Sequence, residues 1–150
     1  MWKPSITVAG IVEDRGRFLF VEEESDGRVV INQPAGHLDP QESLLHAVSR
    51  EVLEETRYRF VPTALVGVYL WQHESKDITY LRFAFAGEIT GEDKVRALDT
   101  GILRPLWLTP TELQQEAARH RSPLVSRCVD DYCAGKRYPL DLLSSYFSHG

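Results

Sequence analysis

Residues 36–58, GHLDPQESLLHAVSREVLEETRY, constrain the fold of this chain more than any other stretch, because they predict one acidic helix with a marked start. Asp39 lies three residues before Glu42 with Pro40 between them, which is a capping-box spacing with proline at the first helical position. This pattern predicts a helix from Pro40 to Thr56. At helical periodicity its apolar side chains form one core-facing stripe, made of Leu44, Leu45, Val48 and Val52.

Three glutamates gather along one edge of that stripe. Glu51, Glu54 and Glu55 are three, four and one residues apart, and side chains at i, i+3 and i+4 are neighbours on a helix surface. Carboxylates this close repel one another, so they either bind protons or share a cation. Clustered carboxylate oxygens suit Mg²⁺ or Mn²⁺. On acidity alone, a solvated acidic helix face is the alternative interpretation.

The spacing within this stretch resembles the Nudix box. Gly36 is followed six residues later by Glu42, and then by residues 50–55, Arg-Glu-Val-Leu-Glu-Glu, at the offsets of that motif. The one departure is Arg57, which stands where the motif has glycine. That position follows the helix end, where a left-handed conformation is usual and costs a non-glycine residue about 1–2 kcal/mol. Arg57 therefore affects the helix exit and leaves the predicted ligand set intact.

The resemblance implies Mg²⁺-dependent hydrolysis of a diphosphate linked to another group, with Mn²⁺ as a possible substitute. By position in the box, Glu51 and Glu55 are the expected metal ligands, and Glu54 is a third ligand or the catalytic base. The carbonyl of Gly36 is a further expected ligand, and Arg50 is expected to orient the glutamates by ion pairing. A reaction of this kind depends on positioning and charge stabilisation more than on covalent chemistry.

Two acids have competing interpretations. Glu42 could contact the metal, but its capping role already explains it. Many Nudix enzymes take an additional acid from the segment before a Trp-containing strand, and here Gly101 stands directly before Ile102, where that acid often lies. Asp99 could substitute for it, although an ordinary loop aspartate is the simpler interpretation.

Candidate substrate contacts outside the helix are Arg82, His37 and Trp71. Arg82 lies on the polar face of a predicted strand and could meet a phosphate or form a surface ion pair. His37 directly follows Gly36, which places it near the predicted metal by sequence. Trp71 and Trp107 could stack on a base, but packing in the core or at its edge is the usual fate of a strand tryptophan.

The rest of the chain predicts a mixed β-sheet covered by helices, an α/β (or α+β) architecture in one domain spanning residues 1–150. Apolar residues make up 43% of the chain, which argues against disorder. The Nudix resemblance implies an α/β/α sandwich. Predicted strands cover residues 5–12, 17–24, 28–32, 59–73, 78–88 and 103–108, and predicted helices follow Thr109 and Ser122.

Charge and cysteine content narrow the partners. A net charge of −5 argues against a broad nucleic-acid-binding face. The N-terminal residues 1–14 are too short and too soon charged for a signal peptide or a membrane span. Cys128 and Cys133 do not suggest a disulfide or zinc site, so a cytoplasmic location is expected. The sequence leaves a monomer and a homodimer open.

Segments outside the box resemble one bacterial group of Nudix phosphatases. These are residues 2–12, 31–40, 80–88 and 121–140. That resemblance implies release of orthophosphate from nucleoside tri- and diphosphates, and action on hydroxymethylpyrimidine pyrophosphate, a thiamine precursor. Two alternatives stay open: cleavage of ADP-ribose or dinucleoside polyphosphates, and a non-catalytic, nucleotide-sensing domain. Arg57 and Gly101 motivate the second alternative, while the intact glutamates argue against it.

Overall fold

A computed structural model describes residues 1–147, which form eight strands and three α-helices. The strands are β1 (Ser5–Ile11), β2 (Glu13–Asp14), β3 (Arg17–Ser25), β4 (Arg28–Asn32), β5 (Ala35–His37), β6 (Tyr58–His73), β7 (Ile78–Glu92) and β8 (Ile102–Leu108). The helices are α1 (Leu44–Thr56), α2 (Pro110–Gln115) and α3 (Leu124–Cys133), with short 3₁₀ helices at Ala117–Arg119 and Leu140–Leu142.

The strands form two four-stranded sheets. The first sheet has the order β5-β1-β7-β6, and the second has β3 between β4 and β8, with the short β2 also paired to β3. β1 and β7 run parallel, whereas the other strand pairs described here run antiparallel. The predicted mixed sheet is therefore confirmed, and it is the first of two sheets.

Helices cover both sides of this arrangement, which confirms the α/β/α sandwich. On one side, Val48 and Val52 of α1 pack with Val8 and Phe85 of the first sheet and with Leu19 of the second. The opposite core contains apolar residues of α2, α3 and both sheets, among them Leu113, Val125, Val129, Phe20, Val66 and Ala84. Along β7, the neighbouring residues Ala84 and Phe85 enter opposite cores.

The predicted start of α1 is wrong by one helical turn. The helix begins at Leu44, and Ser43 caps it by accepting a hydrogen bond from the backbone of His46. Residues 39–42 instead form a turn in which the Glu42 N–H donates to the Asp39 carbonyl at 3.2 Å and Gln41 has φ 60°. Proline followed by a positive φ is typical of a type II turn, and a left-handed residue cannot continue a helix.

The exit of α1 has the predicted conformation. Arg57 has φ 68° and ψ 5°, and its N–H donates to the Leu53 carbonyl at 2.8 Å. The chain then turns directly into β6. The box position that usually holds glycine is therefore left-handed here, with an arginine bearing the steric cost.

Strand β5 was missed in the sequence, where its residues were interpreted as the approach to the helix. It pairs antiparallel with β1, matching Gly36 with Val8 and His37 with Thr7. β7 also extends to Glu92, beyond the predicted end at Glu88. β5 has only three residues, which are too few to show strand periodicity, yet it places Gly36 beside α1.

Residues after α3 return to the first sheet. Leu65 and Tyr138 exchange two backbone hydrogen bonds of 2.8 and 2.9 Å at the outer edge of β6. Across residues 1–147, no helix has both the length and the apolar character needed to cross a membrane.

Candidate active site

Gly36 allows the carboxylate of Glu51 to lie against the β5 backbone. A Cβ atom added to Gly36 would lie 2.1 Å from the Glu51 carboxyl carbon and 2.2 and 2.4 Å from its oxygens. Such distances exclude any side chain without a shift of Glu51. The conformation of Gly36 is not left-handed, so the requirement for glycine here is one of space and not of φ. Gly36 and Glu51 are therefore in direct contact, while the role of the Gly36 carbonyl as a metal ligand stays a prediction.

Three carboxylates converge beside this contact. Oxygen atoms of Glu51, Glu54 and Asp99 all lie within 4.8 Å of one another. Glu51 and Glu54 come from α1, whereas Asp99 comes from the loop before β8, whose backbone donates from Asp99 N to the Glu54 carbonyl at 3.1 Å. The loop-aspartate interpretation of Asp99 is therefore incomplete, because the fold brings its carboxylate to the box glutamates.

Glu55 lies beside this cluster in the protein interior. It is buried, and its carboxylate accepts a hydrogen bond of 2.9 Å from the backbone N–H of Ala35 on β5. The three predicted glutamates therefore occupy two environments: Glu51 and Glu54 with Asp99, and Glu55 against β5. Glu51 and Glu55 both flank the short strand β5.

Arg50 joins the carboxylates to the loop before the helix. One guanidinium nitrogen donates to Glu51 at 2.7 Å and to Glu54 at 3.3 Å, and the others donate to Glu42 at 2.7 and 2.9 Å. A further bond of 3.0 Å reaches the carbonyl of His37. The predicted ion pairing of Arg50 with the glutamates is present in this geometry.

Glu42 is saturated by other partners. In addition to Arg50, it accepts from the backbone of Asp39 at 3.0 Å and lies 2.7 Å from a ring nitrogen of His46. The bond from Arg50 is the main cause that lowers the pKa of Glu42 to about 2. These contacts favour the structural interpretation of Glu42 over a metal contact.

Burial shifts the titration of the other glutamates toward their neutral form. It raises the pKa of Glu51 to about 7 and that of Glu55 to about 9, even though bonds from Arg50 and from the backbone of Ala35 act in the opposite direction. Burial and the neighbouring charge of Asp99 also raise the pKa of Glu54. Such shifts arise mainly from burial of the carboxylates, and the charge of neighbouring acids adds to them.

The donor set fits a hard divalent cation. Three carboxylates from two chain segments offer oxygen atoms at short mutual distances, and oxygen ligands are those that Mg²⁺ and Mn²⁺ prefer. A single arginine opposes several acidic groups, so negative charge remains in excess. Glu51, Glu54 and Asp99 are the residues that would hold the ion, with Glu55 and the Gly36 backbone adjacent.

A cavity of about 450 Å³ opens beside Glu51 and Glu55, and the three candidate substrate contacts all line it. His37 is exposed at the end of β5. Trp71 is half-buried and stacks on Tyr80, with ring centroids 5.7 Å apart and planes 17° from parallel. Trp107, by contrast, packs near Tyr58 at 6.1 Å and does not line this cavity.

Arg82 is buried, which excludes the alternative of a surface ion pair. Its side chain donates to the Asn32 and Gln33 side-chain oxygens, both at 3.0 Å, and lies 3.9 Å from the sulfur of Cys128. Only 6% of its surface is exposed, although it lines the cavity. Both cysteines are free thiols, Cys128 buried and Cys133 exposed.

Sequence reasoning gave Asp99 too little weight and missed Asn32 and Gln33 entirely. Asp99 follows no periodic pattern, and only the fold brings its loop to α1. Two buried amides directly before Pro34 carried a usable signal, because neither is expected in a core without a specific partner. That partner is Arg82, about 50 residues along the chain.

Known proteins of one family match this chain over most of its length. The family model for the NUDIX domain matches residues 1–128. The chain is 38% identical over 146 residues to Phosphatase NudJ of Escherichia coli K12, covering 97% of this chain and 94% of that protein. It matches the structure of a NUDIX hydrolase from Nitrosomonas europaea with a TM-score of 0.94 and 50% identity, over 96% and 98% of the two chains.

A more distant structure shares the fold alone. The NUDIX domain of Shewanella oneidensis NrtR, solved with ADP ribose, matches with a TM-score of 0.69 at 12% identity, over 89% of this chain and 90% of that domain.

Proposed function

The chain belongs to the Nudix hydrolase family, and on that premise we propose that it is a Mg²⁺-dependent phosphatase that releases orthophosphate from nucleoside tri- and diphosphates. The observation that carries the proposal is the convergence of Glu51, Glu54 and Asp99 from two chain segments. The similarity to Phosphatase NudJ over nearly the whole chain supports terminal phosphate release in particular. Hydroxymethylpyrimidine pyrophosphate is the second proposed substrate.

The acidic side chains have distinct proposed roles. Glu51, Glu54 and Asp99 hold the ion, with Glu55 and the Gly36 carbonyl as further ligands. When bound, Mg²⁺ neutralises phosphate oxygens and acidifies water for attack on phosphorus. Glu54 is the proposed base, because it is less buried than Glu51 and lies beside the proposed ligands Glu51 and Asp99.

Arg50 is a positioning residue in this proposal. Its planar guanidinium donates to Glu51, Glu54 and the His37 carbonyl together, so it fixes the helix carboxylates relative to β5. A bidentate fork of this kind gives directional control that a lysine would not provide. Glu42 in turn holds Arg50 from the opposite side.

The cavity beside the carboxylates is the proposed substrate site. Its volume of about 450 Å³ is ordinary for a small-molecule pocket. We propose that Trp71 stacks against the heterocycle, and that Arg82 and His37 contact other parts of the substrate. The enzyme is proposed to act in the cytoplasm, as a monomer or a homodimer.

A product-resolved assay tests the reaction. Purified protein with Mg²⁺ or Mn²⁺ would be incubated with ATP, ADP, ADP-ribose, a dinucleoside polyphosphate and hydroxymethylpyrimidine pyrophosphate, and the products separated by anion exchange. We expect orthophosphate from the nucleotides and no turnover in EDTA. Nucleoside monophosphate from a split internal linkage would support pyrophosphohydrolase activity instead. Nucleotide binding without turnover would support a sensing domain.

Paired substitutions test the carboxylate assignment. Asp99→Asn and Glu51→Gln should each lower kcat by at least about 10²-fold, the scale for losing one charge-stabilising group. Asp93→Asn is the matched control in the same loop, because its side chain only accepts bonds from the backbone of Val95 and Arg96. Equal activity in the Asp99 and Asp93 variants would remove Asp99 from the site.

A further inference from the structure

Arg82 is a buried cation without an anionic partner. It is 94% buried by its exposed fraction of 6%, and the ion pairs within residues 1–147 do not include it. Its acceptors are the neutral side chains of Asn32 and Gln33 and the sulfur of Cys128. Buried charges are normally paired, because taking an ion out of water is costly. A positive charge left unpaired beside a cavity is therefore a site prepared for an anion.

Arg82 and the amide group of Asn32 offer hydrogen-bond donors to a ligand. Arginine accepts no hydrogen bond, so the amide oxygens of Asn32 and Gln33 must face it and their NH₂ groups must face elsewhere. Gln33 uses its NH₂ on the carbonyl of Val125 at 2.7 Å. The NH₂ of Asn32 makes no hydrogen bond with any described residue, and of the five N–H donors of Arg82, three are engaged. Asn32 and Arg82 both line the cavity.

Sheet register places this donor group two strands from β5, against which Glu51 and Glu55 lie. Arg82 is matched with Thr7 on β1, and Thr7 is matched with His37 on β5. Neighbouring strands are about 4.8 Å apart, so the Cα atoms of Arg82 and His37 lie roughly 10 Å apart. One extended substrate can therefore contact both ends of this row. Tyr80 lies two residues before Arg82 on β7, and its stacking partner Trp71 is matched with it on β6.

We propose that Arg82 and Asn32 form a phosphate subsite, which takes a phosphate of the same substrate that the carboxylate cluster hydrolyses. The inference rests on the proposed function for the identity of that substrate. A neutral base could supply acceptors, but it would leave the charge of Arg82 uncompensated. A phosphate supplies both charge and acceptor oxygens, and such bonds are stronger than neutral ones. The subsite recognises the phosphate, whatever heterocycle it carries.

Orthophosphate binding without metal tests the subsite separately from catalysis. Protein in EDTA would be titrated with inorganic phosphate and followed by ³¹P NMR and calorimetry. We expect saturable binding that weakens at least about tenfold in Arg82→Gln, the scale for losing charged hydrogen bonds. Arg28→Gln is the matched control, because Arg28 lines the same cavity and bonds only to the Ala118 carbonyl. It should change affinity less than about threefold, and equal losses in the two variants would overturn the subsite.

A second variant keeps the test decisive if Arg82→Gln does not fold. Asn32→Asp places a carboxylate 3.0 Å from Arg82 and pairs its charge internally, so phosphate binding should also fall at least about tenfold while the fold is kept. Unchanged phosphate binding in Asn32→Asp would refute the proposal. The proposal would also be refuted if either variant lost adenosine binding but kept phosphate binding. Phosphate binding at Arg82 in a protein without turnover would sink the proposed function and leave the subsite standing.

Discussion

Glu55→Gln should stabilise the metal-free protein while abolishing turnover. Burial raises the pKa of Glu55 from 4.5 to about 9, so the folded state holds a proton there that the unfolded state releases. A raised pKa means that stability is fully present below pH 4.5 and is lost as the pH rises toward 9. Glutamine has no proton to lose, and its side-chain oxygen can still accept from the backbone of Ala35.

The expected gain follows from that shift. The pKa of Glu55 in the unfolded state is 4.5, which is about 2.5 pH units below pH 7. At 1.36 kcal/mol for each pH unit, the wild-type protein has lost about 3 kcal/mol of stability at pH 7. At pH 4.5 the gain should be close to zero. Unfolding by urea in EDTA at several pH values between 4.5 and 9 measures this difference as the free energy of unfolding of Glu55→Gln minus that of the wild type.

Glu88→Gln is the control, because Glu88 is an exposed glutamate on β7 and its replacement removes the same charge. Added Mg²⁺ should narrow the gap by stabilising the wild type, since only the wild type keeps the full acidic set. If Glu55→Gln were less stable than the wild type at pH 7 in EDTA, or if the difference did not depend on pH, buried charge at Glu55 would not be the cause of the effect.

Three further substitutions probe the geometry of the site. Gly36→Ala would push the carboxylate of Glu51 away, so kcat should fall about 10²-fold. Gly91→Ala is the control and should leave kcat unchanged, because its added Cβ would meet nothing closer than 3.4 Å. Normal activity in Gly36→Ala would refute the contact. Arg57→Gly should raise the free energy of unfolding by about 1 kcal/mol in urea, because it removes the cost of a left-handed arginine, and a loss would show that the side chain's packing outweighs that strain. Arg50→Lys should lower kcat at least about tenfold with little change in KM, since charge remains but the fork is lost; steady-state kinetics would contradict this if KM alone rose.

Local signals predicted the helix and its acidic edge well. The periodicity that aligns Glu51, Glu54 and Glu55 depends only on helical geometry, and the left-handed exit at Arg57 follows from the motif position. The start of the helix was wrong because Pro40 suits a type II turn as well as a first helical turn. Gln41, with its positive φ, decides between them, and a glutamine gives no sign of that choice.

Contacts between distant segments were beyond the sequence. Asp99 joins Glu54 only because its loop bonds to the end of α1. Arg82 looked like a strand residue with a polar face, and only the packing of α3 over β7 shows that this face is buried. In both cases the side chain's role depends on which segment covers it, and that is a property of the assembled fold.

The carboxylate cluster lies where the two sheets meet. Gly36 belongs to the first sheet, Asp99 leads into the second through β8, and Glu51 and Glu54 come from α1, which packs against both sheets. A cation that binds these oxygens therefore also connects chain segments of the two sheets. Cation binding should therefore reduce local opening in both sheets, so that amide hydrogen exchange on strands far from the site slows when the site is occupied.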